Sequence, residues 1–456
     1  MSEHITLMSN AKPTRALAQW CAGLRRAHLP ADCLQESSRH ALDTLAACAA
    51  GMQQPLVRAA IELERRINPT QGTVPLFGGP QRWTVIEAAG LMAMACHALE
   101  MDDGNREGSI HPGTTIVPAV LALAWHTWAD YLQFLTAVTA GYEVAISIAE
   151  TLHPHASRRG FQTTPVAGVV GTAAACATLL GLEAEQIESA MGLPASAAGG
   201  LFAYLEGGGN VKKFHPAHAA REGLRAALMA QQGAAVGPVG SIEGPSGILE
   251  AFGGIQGWDG NQARARNAPA IMRSYLKPYP CCRHIHPAID AILALKAEAG
   301  WNAADVESIE VCMFGAAMPH AQLPWNTLEI AQLSFPWVMA LACLDGEVTL
   351  AGFSQQARAR ADVNALAAKV TVRQDEECDT LYPAYGPARV TLRLRSGRQF
   401  SKWVADPLGS ADLPISDEAL DTKAAQAFAL SFASGRPAEL IRMLRDVQPW
   451  PLVDLR

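Results

Sequence analysis

The sequence predicts a mainly α-helical protein with a smaller α+β domain, and three observations predict it. Alanine-rich apolar runs recur at helical spacing through most of residues 14–267. Alternating, β-branched runs occur only in the stretch 268–406, at 308–312, 370–372, 389–394 and 399–404. After Pro407 helical periodicity returns, at 416–432 and 437–447. The expected organisation is a helical domain over 1–267, an α+β domain over 268–406, and C-terminal helices over 407–456 that return to the first domain.

The elements follow in order. Residues 14–21 and 38–50 read as helices, and 69–82 as a Gly/Pro loop. A helix starts near Trp83, with Thr84 as its cap and Glu87 three positions on, and runs to about Glu100. A dense polar loop, Glu100 to His111, then re-enters apolar sequence at Ile116. Helix 131–152 is followed by a basic loop over 153–165, a small-residue helix over 166–180 and another over 183–191. Gly207, Gly208 and Gly209 precede Lys212, Lys213 and His215, and Pro216 suits the first turn of a helix reaching Gln232. A Gly/Pro/Ser segment, 233–254, leads away. In the second domain, helices are expected at 287–299 and 330–343, with Ser396-Gly397 turning a hairpin.

Composition bounds the function. A chain of 456 residues, 49 % hydrophobic, can bury a large core in more than one domain. A net charge of −7 argues against a broadly basic nucleic-acid face. Ten cysteines without repeated spacing suit reduced, buried thiols and a cytoplasmic protein. Residues 1–21 hold no apolar core of signal-peptide length. The uncharged windows 110–129 and 160–182 are too rich in Gly, Pro, His and other small residues for a lipid-facing span. Neither a membrane nor a nucleic acid is expected as a partner.

Three polar clusters interrupt this apolar chain: Glu100–His111, Lys212–His215 and Lys277–His286. The glycine loop, the lysine pair and the helix start that follows describe a cradle for a small anion such as a carboxylate. The third cluster, Lys277-Pro278-Tyr279-Pro280-Cys281-Cys282-Arg283-His284-Ile285-His286, invites a metal reading, but no separated C-x-x-C pair accompanies it. A second anion clamp of Lys277, Arg283 and a histidine is the expectation, with no metal. His126, His153, His155 and His320 read as capping or surface residues, and Cys48, Cys96, Cys176 and Cys343 as core. Carboxylates, imidazoles and ammonium groups without a Ser-His-Asp motif, P-loop or dinucleotide fingerprint suit proton abstraction next to a carboxylate.

These segments resemble the MmgE/PrpD family. Glu100-Met101-Asp102-Asp103 through His111-Pro112-Gly113 is similar to its helix-to-loop segment. Gly160-Phe161-Gln162-Thr163-Thr164 is similar to its Gly-Phe-His segment, with Gln162 in place of histidine. Lys212-Lys213-Phe214-His215 is similar to its Lys-x-x-His, and Lys277-Pro278-Tyr279-Pro280 with His286 to its Lys-x-aromatic-Pro. Leu344-Asp345-Gly346-Glu347 after Ser334-Phe335 also matches. Two further departures are Glu100, where some members have Asp, and Gly104, where decarboxylase-like members have Thr.

The resemblance implies a large helical domain with an α+β lid, a homodimer, and a site between them that works without a cofactor on small carboxylic acids. It implies His111, Lys212 and Lys277 as catalytic or carboxylate-binding groups, with Asp102 and Asp103 beside them. Gln162, Lys213, His215, Tyr279, Cys282, His286 and Glu100 are expected to contact substrate. The reaction expected first is dehydration of a hydroxy di- or tricarboxylate. Isomerisation, epimerisation or decarboxylation of a related acid is the alternative, and a non-catalytic anion-binding protein the non-enzyme one. Glutamine cannot move a proton near neutral pH, so Gln162 would pass any such step to His111 or a lysine.

Overall fold

Small residues let helices approach closely, and the computed structural model shows where that closeness is used. It describes residues 12–24, 29–68, 72–207, 209–233, 235–258 and 268–455, so Gly208 of the glycine loop lies outside the described residues. The chain divides into two compact units. Unit 1 comprises Met1–Ala98, Asp102–Ser274 and Asp417–Arg456; unit 2 comprises Leu99–Met101 and Tyr275–Ser416.

Unit 1 is helical. It holds α1 (Pro13–Gly23), α2 (Ala31–Gly51), α3 (Pro55–Ile67), a short hairpin of β1 (Val74–Leu76) and β2 (Gly79–Trp83), then α4 (Val85–Cys96), α5 (Pro112–Thr127) and α6 (Tyr131–Leu152). Further helices follow at Thr163–Leu179, Ala184–Gly192 and Phe214–Gln232, and two more at Asp417–Phe428 and Arg436–Arg445. Helix α6 packs along Thr163–Leu179, which in turn packs on Phe214–Gln232. A Cβ on Gly171 would come within 2.7 Å of the Gly141 oxygen and 2.5 Å of the Ala145 Cβ, so this crossing admits only glycine. The C-terminal segment is tied in through buried groups: Tyr131 Oη donates to Leu444 O at 2.7 Å and Trp125 Nε1 to Leu452 O at 2.9 Å.

The Thr84 cap falls where the spacing places it, and a second cap at Asp130 emerges from the structure. Thr84 Oγ1 accepts from Glu87 N at 3.3 Å to start α4, and Asp130 with Gln133 forms a full capping box for α6. Helix α6 is long and apolar enough to cross a membrane, yet 83 % of its most apolar window is buried in the fold.

Unit 2 is built on a four-stranded sheet in the order β4 (Val370–Gln374), β3 (Val306–Met313), β5 (Ala388–Leu394), β6 (Gln399–Val404). β3 and β4 run parallel, with Ile309 opposite Val370; β5 is antiparallel to both β3 and β6. The helices His286–Ala299 and Phe335–Asp345 pack on the sheet around Ile289, Ile292, Val311, Trp337, Val390 and Leu392.

The described part of the expected 69–82 loop contains the β1–β2 hairpin, because Val74–Leu76 is fully buried and can pair locally. The expected 330–343 helix is broken: Leu328–Ala331 ends, and Ser334 caps a new helix at Phe335. Helix α4 stops at Cys96 rather than near Glu100, which adopts a left-handed φ of 53°. The helix expected to open at Pro216 begins at Phe214, preceded by a 3-10 turn, Val211–Lys213, that carries both lysines.

Candidate functional site

In unit 1 the polar loop is largely buried, with Arg106, Glu107 and Ser109 half-buried. Asp102 and Asp103 are fully buried and Asn105 nearly so, in a turn closed by paired main-chain bonds between Asn105 and Ile110. Two helix ends converge on it. His97 caps the C-terminus of α4, and His111 occupies the N-cap of α5. The start of the Thr163–Leu179 helix braces the turn: His111 N donates to Thr164 Oγ1 at 3.1 Å and Thr163 Oγ1 to Ser109 O at 2.5 Å.

Asp102 Oδ2 lies 2.9 Å from Nδ1 of His97 and 2.9 Å from Nδ1 of His111. His111 Nδ1 is also 2.7 Å from the main-chain oxygen of Asp103. A carbonyl oxygen only accepts, so Nδ1 carries a hydrogen and Nε2 is the nitrogen left for proton transfer. The His111 side chain is 16 % exposed, whereas His97 is fully enclosed. Burial pushes the His97 imidazole down to about 3, Lys212 and His111 adding to the effect against the pull of Asp102. His97 is therefore neutral at physiological pH.

The Asp103 side chain turns the other way. Its Oδ2 accepts from His40 Nδ1 at 2.6 Å and from Tyr142 Oη at 2.5 Å, and its Oδ1 accepts from Gly113 N at 3.2 Å. Burial alone would lower His40, but hydrogen bonds to Asp103 and Glu36 outweigh it and raise the ring to about 9. A Cβ on Gly113 would lie 2.5 Å from both Asp103 Oδ1 and Thr44 Oγ1, which is why glycine follows His111-Pro112.

Lys212 and Lys213 are buried on their 3-10 turn, 8 % and 3 % exposed. His215 Nδ1 pairs with Gln162 Oε1 at 2.5 Å. Burial and then Lys212 push His215 down to about 4. Lys212 thus lowers both His97 and His215, so a buried lysine lies near two imidazoles held neutral. That electrostatic arrangement favours a small anion.

Unit 2 has its own cluster. Lys277 is fully buried and donates from Nζ to Glu100 O at 3.2 Å and Glu100 Oε2 at 3.5 Å. Tyr279 Oη donates to Asp290 Oδ1 at 2.8 Å. His286 is enclosed, its Nδ1 3.1 Å from Arg283 Nη1 and its Nε2 3.3 Å from Cys281 O. Arg283, expected in an anion clamp, is engaged otherwise. It binds Leu408 O, Pro407 O and Ser410 Oγ and stacks over Tyr275, fixing the segment beyond β6. Burial pushes the Cys281 thiol well up. Burial would raise Cys282 as well, but the His320 imidazole hydrogen-bonded to it brings this thiol below its ordinary value.

Of the residues singled out in the sequence, unit 1 brings together Asp102, His111 and Lys212, and separately Gln162 with His215. Unit 2 pairs Glu100 with Lys277 and sets Cys282 beside His320. His97, His40 and Tyr142 are not among them, and His320 reads from sequence as a capping or surface residue. The signal for His97 is its place at a helix end five residues before Asp102; the others come from distant segments, and nothing local marks them. Two groups have ligand atoms close enough to hold a metal ion among the described residues: His97, Asp102 and His111 in unit 1, and Cys282, His284 and His320 in unit 2.

The chain matches the MmgE/PrpD N-terminal domain over residues 15–261 and the MmgE/PrpD C-terminal domain over residues 279–447. It is 25 % identical over 437 residues to a cis-aconitate decarboxylase of Aspergillus terreus, covering 88 % of this chain and 86 % of that one. The human cis-aconitate decarboxylase is 24 % identical over 434 residues, covering 90 % and 86 %. A cis-aconitate decarboxylase-like protein of Aspergillus oryzae is 31 % identical over 228 residues, about half of each chain (48 % and 47 %).

Proposed function

The chain belongs to the MmgE/PrpD family, and from that premise we propose that it is a lyase releasing CO2 from a small unsaturated polycarboxylate, with proton transfer at the carbon beside a second carboxylate. The observation that carries this reading is the Asp102–His111 pair. The Asp103 carbonyl fixes one imidazole tautomer, the buried Asp102 carboxylate sits beside the same nitrogen, and the partly exposed ring has Nε2 left to move a proton. The relatives that span most of this chain are named cis-aconitate decarboxylases, which supports an aconitate-like substrate.

In the proposed reaction the bond to the departing carboxylate breaks. Its electron pair forms a new C=C bond while the old double bond shifts charge to the carbon beside the second carboxylate. Lys212 holds that carboxylate as the charge grows, and His111, which first takes a proton from solvent at Nε2, delivers it to the carbon and returns to the ring form with its hydrogen on Nδ1. Side chains alone supply this chemistry. The homodimer and the role of Lys277 in holding carboxylate belong to the same proposal.

Dehydration of a hydroxy acid, the reaction expected first from the sequence, is the second reading. Lys212 favours it, because a cation beside the imidazoles can also protonate a leaving hydroxyl. Proton NMR in deuterated buffer, with cis-aconitate and a panel of hydroxy tricarboxylates, separates them. Release of CO2 with one deuterium in the product supports decarboxylation. New vinyl signals from a hydroxy acid support dehydration, and exchange at Cα without net product points to an epimerase. Binding of the acids with no exchange and no product overturns the enzyme reading.

A further inference from the structure

Cys282, His284 and His320 lie together in unit 2, with one ligand atom from each within 4.8 Å of the others. The sequence reading discounted a metal at Cys281-Cys282 and His284-x-His286 because no second pair of ligands has the right spacing. The fold supplies the missing ligand from elsewhere. His320 ends the 3-10 stretch Gly315–His320 that follows β3, 36 residues after His284. It is buried, and it was read from sequence as a surface or capping residue.

Each donor is held by its own support. Cys282 N donates to Gln332 O at 2.8 Å, which fixes the start of the 3-10 turn Arg283–Ile285 carrying His284. The His284 ring packs edge-on to Phe314 at 5.3 Å and to Tyr382 at 6.2 Å, and those two rings stack at 4.1 Å. His284 and His320 face each other with ring centroids 5.7 Å apart. The Cys282 sulfur and a ring nitrogen of His320 lie within 4.8 Å of each other, so the thiol and the imidazole can share one ion. The aromatic wall of Phe314 and Tyr382 behind His284 limits solvent access to this side of the group.

We propose that Cys282, His284 and His320 form a three-ligand site for a borderline-soft divalent cation, of which Zn2+ is the type, with a fourth position open to water or a ligand. The donor set selects the ion: one thiolate and two imidazoles suit Zn2+ and Co2+, whereas Mg2+ and Ca2+ want oxygen. Around a tetrahedral ion, such ligand atoms sit roughly 3.3–3.7 Å apart. Small side-chain rotations bring a group already within 4.8 Å to that spacing. The second group, His97, Asp102 and His111, is a weaker candidate. Both of its rings direct Nδ1 at one carboxylate oxygen, and the His111 Nδ1 hydrogen is committed to a carbonyl. The inference is independent of the reaction proposed above.

The test uses the untagged full chain, titrated with Co2+ and then Zn2+ after treatment with chelator and reductant. The expected result is one Co2+ per chain with a thiolate-to-cobalt charge-transfer band and the d–d bands of a four-coordinate ion, all displaced by Zn2+. Cys282→Ser should abolish the charge-transfer band. His284→Ala and His320→Ala should each weaken Co2+ binding by at least about ten- to a hundredfold. Wild-type protein that shows no charge-transfer band overturns the proposal whatever the variants do. A band that survives Cys282→Ser overturns it too. Cobalt bound without a thiolate band and lost in His97→Ala would assign the ion to unit 1 and reject this site.

Discussion

His111 Nδ1 lies 2.9 Å from Asp102 Oδ2, and the hydrogen on that nitrogen is fixed by the Asp103 carbonyl 2.7 Å away. The ring is therefore oriented from two sides. Replacing it, His111→Ala, should cost about 10²–10⁴-fold in kcat while circular dichroism stays unchanged. Asp102→Asn should keep the fold but cost at least about tenfold and change the pH profile of kcat, since an amide no longer balances charge on the ring. Near-full activity in His111→Ala removes this residue from the chemistry.

Lys212 acts on two imidazoles and should act on substrate as well. Lys212→Met should lower kcat/KM by roughly ten- to a hundredfold, the worth of one hydrogen bond to a charged group. The His215 resonance should move upward in pKa in the same variant, because the nearby cation is one cause of its depression to about 4. Steady-state kinetics and histidine-selective NMR read the two effects separately.

Gln162 accepts from His215 where the family often has histidine. Gln162→Glu sets a carboxylate against that ring, so the His215 pKa should rise from about 4 towards neutrality. The same labelled-histidine titration checks it. A His215 pKa that stays put would mean that the two side chains are not paired in solution.

Asp103 is a buried acceptor with three donors, and losing one should be felt as stability. Tyr142→Phe removes the phenol and should cost about 1–3 kcal/mol, read by denaturant unfolding. Gly113→Ala should cost a similar amount or more, as its Cβ would overlap Asp103 and Thr44.

Two histidines set opposite pH dependences. His40 has its folded-state pKa raised from 6.5 to about 9, so its contribution is full below 6.5 and fades as pH rises to about 9. His97 has its folded-state pKa lowered from 6.5 to about 3, so the unfolded chain binds the extra proton and stability falls as pH drops from 6.5 towards 3. Unfolding free energies of wild type and His40→Gln should therefore converge as pH approaches 9. Those of wild type and His97→Gln should change relative to each other only on the acid side.

Legibility differed between fold and site. Helix α6 runs Tyr131–Leu152, the bounds its periodicity predicts, and β6 likewise spans Gln399–Val404. Short-range contrasts failed elsewhere. The β1–β2 hairpin was read as loop, and Gln332–Ser334 interrupts what looked like one helix, because the Gln332 side chain is drawn to the oxygens of Leu99 and Pro280.

The fold class, the long helix α6 and the three segments where polar groups gather are all legible in the chain. Periodicity and caps are local, so they can be read from neighbours along the chain. Tertiary structure alone decided what each polar group does. Asp102 and Asp103 are adjacent and chemically alike, yet one side chain orients His97 and His111 while the other takes His40, Tyr142 and Gly113. Successive residues point different ways, and their partners come from 5 to 63 positions away. Hydrogen bonds over such separations exist only once the core has formed, and so they leave no pattern in the chain itself.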